Sequence, residues 1–170
     1  MNNQTSSFNQ LIVDSGALLI HSRYYQITPS KDYSEHAMSK RSFLPHGSIN
    51  IAIDNDLVTL DIKGPCNIEF FELMTEKLIS LRPQLNMDNY TYLVILHDEA
   101  LATPEALLYF TNYLKTVQVR AVAINLQYTD SPSITEAICH KTYNDSGVKH
   151  RFFFDSISAK TWLRRCMATA

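Results

Sequence analysis

Arg151 to Leu163 read RFFFDSISAKTWL: a run of aromatic residues, a turn with capping residues, and a segment carrying the only tryptophan. A strand this short and apolar is expected to be buried on both faces, inside a sheet covered by helices. Asp155 or Ser156 can cap the helix that follows by accepting an amide its first turn leaves free. Ala159, Trp162, Leu163 and Cys166 then recur at helical spacing on one side. That side is predicted to pack on the sheet, with Trp162 in the core.

Upstream the same alternation of element types repeats. Val119 to Leu126 and Tyr92 to Leu96 are continuous apolar strands. Between them, Thr103-Pro104-Glu105 supplies an N-cap, a proline at the first helical position and an acid in the first turn. The helix it opens is predicted to bury Leu107, Phe110 and Leu114. Ser131-Pro132 or Ser133, with Glu136 in capping-box position, opens another helix whose inner residues are predicted to be Ile134, Ala137 and Ile138. Nearer the start, Ile49, Ile51 and Ile53 alternate with polar or small residues, as do Val58, Leu60 and Ile62, with Asp54-Asn55-Asp56 between them. This is a hairpin signature. Gly64-Pro65 ends it, and a helix from Cys66 or Asn67 follows, with Ile68, Phe71, Met74, Leu78 and Leu81 inward and Glu69, Glu72 and Glu76 toward water. The predicted order is ββαβαβαβα, a mixed, mostly parallel α/β sheet of about five strands with helices packed on it. It occupies residues 47–170. Residues 1–46 read as a partly ordered N-terminal extension dispensable for folding, although Leu11 to Ile20 and Tyr24 to Ile27 could make short elements docked on the main body.

The chain has 170 residues and a formal net charge of -2, a size at which one core is stable without disulfides. Residues 1–46 carry four Lys or Arg against three Asp or Glu, and the remainder eleven against fourteen. Neither part has the concentrated basic surface that nucleic-acid binding requires; Lys160, Arg164 and Arg165 sit in the last helix, where cations suit the dipole. Three widely spaced cysteines, Cys66, Cys139 and Cys166, argue for reduced thiols and a cytoplasmic location rather than a disulfide framework or a metal. The apolar run near the N-terminus lacks a basic lead and is broken by Asp14-Ser15-Gly16, so no signal peptide is expected, and no run is long enough for an integral membrane segment. Four ungrouped glycines exclude a Walker or Rossmann phosphate loop. No cofactor is expected.

The element order and the closing RFFFDSISAKTWL, with Ala159, Trp162 and Leu163 in an Ala-x-x-Trp-Leu pattern, resemble the STAS domain and more particularly its SpoIIAA-like branch, the fold of anti-sigma-factor antagonists. HGSINIAIDNDLVTLDIKGPCN, His46 to Asn67, is similar to small bacterial proteins of that group with a Gly-Pro-x-Asn turn before the first helix. The resemblance covers residues of about 47–168. It implies a non-enzymatic regulatory or protein-interaction domain, or alternatively a module with an apolar pocket between helices and sheet for a small apolar ligand or lipid. One departure matters. Where the regulatory antagonists carry an Asp-Ser-Ser-Gly-like motif with a phosphoacceptor serine, this chain reads LHDEALATPEAL, Leu96 to Leu107, with Thr103 as the only hydroxyl. Thr103 is a weak phosphoacceptor candidate that its capping role already explains.

Five residues form the candidate partner-binding surface: His97, Asp98, Thr103, Tyr109 and Tyr113. His97 and Asp98 follow a buried strand at its C-terminal end, where open α/β sheets place ligand-binding groups. Tyr109 and Tyr113 repeat four apart, opposite the predicted inner stripe, as interface anchors do. The expected partner is another protein or a second copy of the chain. Cys66 at a helix start could be an activated thiol, but no base accompanies it in sequence, and no set of residues reads as catalytic or metal-binding.

Overall fold

The computed structural model describes residues 23–27 and 43–169. Among the described residues six strands form one sheet in the order of the chain: β1 (Arg23–Ile27), β2 (Ser48–Asp54), β3 (Leu57–Lys63), β4 (Thr91–Asp98), β5 (Val122–Thr129) and β6 (His150–Phe153). The first two pairings are antiparallel and the last three parallel. Four helices follow β3 onward: α1 (Ile68–Leu81), α2 (Pro104–Lys115), α3 (Pro132–Ser146) and α4 (Ser156–Ala168). The fold class is the one expected, a mixed and mostly parallel α/β sheet, with a sixth strand. The extra strand lies within the stretch read as an extension: Tyr25 pairs with Ile51 and Ile27 with Ile49, and both pack on the core. Leu11 to Ile20 lies outside the described residues.

Topology distributes the helices. The three crossovers β3-α1-β4, β4-α2-β5 and β5-α3-β6 all step the same way across the sheet, and right-handed crossovers then place all three helices on one face. The last helix, α4, covers the other face. The core divides accordingly. Ile49, Ile51, Leu60, Val94 and Ile124 meet Phe70, Met74 and Leu114 on the three-helix face, while Leu57, Leu93 and Ala123 meet Ala159, Leu163 and Cys166 of α4 on the other.

Local chemistry explains the element ends. Asn55 takes a positive φ of 53° in the β2–β3 turn, a conformation asparagine tolerates better than most residues. Asn67 caps α1 by accepting from the Phe70 amide at 3.1 Å. Thr103 accepts from the Ala106 amide at 3.2 Å, and Asp155 from that of Ser158 at 2.7 Å. This last bond holds the Asp155 carboxyl below its ordinary range. Gly147 ends α3 in the left-handed region.

Four expectations are corrected. The aromatic strand β6 is the edge of the sheet, so it is half-buried, and Phe154 lies beyond it in solvent. Trp162 therefore sits at the rim, against Phe153 at 5.8 Å between ring centres, while Ala159, Leu163 and Cys166 take the buried positions. On α3, Thr135, Thr142 and Tyr143 face inward, whereas Ile134 and Ala137 face solvent and Ser131 caps without a side-chain bond. On α1, Glu69 is buried rather than turned to water, because Phe70 joins Phe71 in the core and rotates the stripe.

Candidate functional site

At the C-terminal ends of β3 and β4 the three-helix layer leaves a gap. Leu60, Ile62, Val94 and Leu96 form its floor and Ala100, Leu101 and Ala102 its roof. Phe71, Leu107 and Phe110 close one side, and Ile138, Cys139, Thr142 and Tyr143 of α3 the other. The cavity measures about 60 Å³, is partly open to solvent, and is lined almost wholly by carbon. The hydroxyl of Thr142 in its wall donates to the Ile138 carbonyl at 3.1 Å.

The roof is held from the β3–α1 connection. The Cys66 amide donates to the Leu101 carbonyl at 2.8 Å, and Cys66 and Ala102 form an isolated parallel bridge. Position 64 must be glycine for this approach, since a β-carbon there would lie 2.5 Å from the Glu99 carbonyl oxygen. Asn67 extends the same junction. Its carboxamide oxygen also accepts from the His46 amide at 2.8 Å, and its nitrogen donates to the Leu44 carbonyl at 2.9 Å.

Both thiols at the cavity are pushed up to about 12 by burial. Desolvation overrides any lowering by the helix start near Cys66, so an activated cysteine is not what the structure places there. Among the described residues no group of three or more His, Cys, Asp or Glu could hold a metal ion.

The five residues grouped from sequence divide between the two faces. His97 lies on the α4 side of the sheet, beyond the reach of α4, with Nε2 2.9 Å from Asp61 Oδ1. The contact has ion-pair distance but not the alignment of a hydrogen bond. Its ring stacks on Tyr128 at 5.0 Å. Asp98, at a positive φ of 55°, pairs with Lys63 at 3.3 Å. Thr103, Tyr109 and Tyr113 belong to the cavity side. Tyr113 is only 9% exposed and stacks on Phe110 at 6.2 Å, so it is a core residue and not an outward anchor. Tyr109 is half-buried against α1 and shares a 2.9 Å hydroxyl hydrogen bond with Thr75. The reason is position: α2 lies between α1 and α3, which bury its flanks as well as its inner stripe.

Sequence reading missed the cavity wall and the Asp61–His97 contact. Alanines at 100 and 102 were the available signal for the first, being small residues in the connection from a strand to a helix. The second needed the β3–β4 register, which sets Asp61 two residues, on the same face, from His97's own partner Lys63.

The described residues thus form a mixed sheet with three helices on one face and one on the other. No family model matches the chain, and no curated protein matches it. Among solved structures it is similar to an uncharacterised protein of the DUF3478 family with a SpoIIAA-like fold from Shewanella loihica PV-4. The two are 20% identical, with a TM-score of 0.49, over 72% of this chain and 98% of that one. Among the described residues, no helix is long and apolar enough to cross a membrane.

Proposed function

We propose that this protein is a non-enzymatic binding module that takes a small apolar group into the cavity beneath α2. The observation that carries the reading is the cavity of about 60 Å³, partly open and carbon-lined, at the strand ends where open α/β sheets bind ligands. Protein interiors leave few voids larger than a water molecule. An engineered apolar cavity of about 150 Å³ stays dry and takes up benzene or xenon. The present cavity suits a smaller group, such as the end of an alkyl chain whose remainder projects through the opening. Thiols that burial keeps protonated near neutral pH support a role without covalent chemistry, and three free cysteines fit a reducing compartment.

A second reading, in which the apolar group is a side chain of a partner protein in a regulatory complex, is favoured by the exposure of Leu101 in the roof and of Leu108 beside cavity-lining Leu107. Methyl-labelled protein titrated with xenon and with octanoate tests the two. Saturable shifts at Leu60, Val94, Leu107 and Ile138, abolished by Ala102→Leu, are expected. If neither probe moves these methyls while Leu108→Ser abolishes association with a co-purifying protein, the second reading replaces the first. Equal shifts in Ala102→Leu would place the probes elsewhere and refute the cavity as the site.

A further inference from the structure

We infer that His140 and His150 form a proton-counting link between α3 and the edge strand β6, with Asn144 letting the link accept one proton and a second proton severing it. The argument rests on hydrogen-bond direction. His150 Nδ1 lies 2.9 Å from the Val148 carbonyl oxygen, which can only accept, so Nδ1 carries a proton. In the neutral ring Nε2 is then a lone pair, and it lies 3.1 Å from His140 Nδ1, which must donate. Neutral His140 is left with a lone pair at Nε2, 3.0 Å from Asn144 Nδ2, a donor. All three bonds are satisfied together when both imidazoles are neutral Nδ1–H tautomers.

A first proton fits at His140 Nε2 if the Asn144 carboxamide turns over and offers its oxygen. The bond from His140 Nδ1 to His150 is then kept and becomes charge-assisted. A second proton has no such place. It would set an N–H of His150 against the N–H of His140, with two like charges at hydrogen-bond distance.

Aromatic rings and side chains of α3 surround the pair. Tyr143 stacks on His150 at 5.4 Å, and Phe152 borders both rings at 6.1 and 5.7 Å. On α3, Glu136 lies one turn before His140, and Lys141 is paired to Asp145 at 2.6 Å. Cys139 and Tyr143, pushed up by burial, stay protonated. Lys149 and Arg151 flank His150 in sequence but lie over the rings of Trp162 and Phe153 on the opposite face. Val122, its register partner in β5, brings no charge. Asn144 is exposed, so its carboxamide is free to turn.

Histidine-labelled full chain followed by long-range proton–nitrogen spectra between about pH 8 and about pH 5, the range in which imidazoles charge, tests the inference. At the upper end both rings are expected as Nδ1–H, the less common form of free imidazole. On acidification one cation should form at His140 with a shift of the Asn144 amide group. Exchange of the Phe152 and Phe153 amides should quicken only with the second step. Asn144→Asp should move the first step to higher pH and Asn144→Leu to lower pH, neither touching the core. An Nε2–H ring at high pH overturns the inference, as do two independent titrations with unchanged exchange in β6. Saturable shifts of both rings with zinc alone would make the pair a two-histidine metal site instead.

Discussion

Replacing Tyr113 separates the core from the interface reading of α2. The ring is 9% exposed, stacked on Phe110, and near Tyr92 and Arg82. Truncation to alanine therefore empties a large aromatic site, which costs about 3–5 kcal/mol. With a urea slope of about 2 kcal/mol/M, the unfolding midpoint should fall by roughly 2 M. The hydroxyl behaves differently. It is buried without an aligned hydrogen-bond partner, and an unsatisfied buried group costs about 1–3 kcal/mol, so Tyr113→Phe should leave stability unchanged or raise it by about 1 kcal/mol. The pair of variants, compared by urea unfolding under fluorescence with self-association followed in parallel, makes the outcome sharp. A midpoint that barely moves in Tyr113→Ala while association is lost would return Tyr113 to the surface and refute the packing argument.

Trp162→Ala should cost about 1–2 kcal/mol, roughly half a fully buried aromatic, because its ring sits at the rim against Phe153; a loss above about 3 kcal/mol in denaturant unfolding would put it in the core after all. Gly64→Ala should drive the Glu99 carbonyl away from a β-carbon otherwise 2.5 Å distant, lowering stability and shifting the Leu101 and Ala102 methyl signals, and unchanged signals would show that the roof is not set from position 64. Stability should fall in alkali. Cys66 and Cys139 are raised from 9.0 to about 12, so the folded state keeps protons that the unfolded chain releases. Their contribution is complete below about pH 9 and is lost as pH climbs toward about 12. The early part of this loss, before tyrosines ionise, should flatten in Cys66→Ala/Cys139→Ala, and an identical pH slope in that variant would remove the thiols from the account.

What could be read in advance depended on whether a residue's surroundings follow from its own element. The β2–β3 hairpin was legible because Ile49, Ile51, Leu60 and Ile62 alternate with residues that remain at the surface or half-buried, and the parallel strands because β4 and β5 are buried on both faces. β6 carries a similar aromatic run, yet lies at the edge. Its burial depends on how many strands follow, which no local pattern encodes. The helices err in the same way. One stripe predicts an inner face only for a helix with one neighbour, whereas α2 has two and buries Thr111 and Tyr113 at the sides. α3 closes the layer beside a cavity and turns threonines inward where aliphatic residues were expected. Groups that could carry function lie further still from local pattern. Asp61 meets His97 through strand register, and His140 meets His150 only because a right-handed crossover returns the chain from α3 to β6 on the same face of the sheet. Each pairing is a product of topology, so a reading by motif finds neither, and a reading that first assigns each helix to a face and each strand to a neighbour can find both.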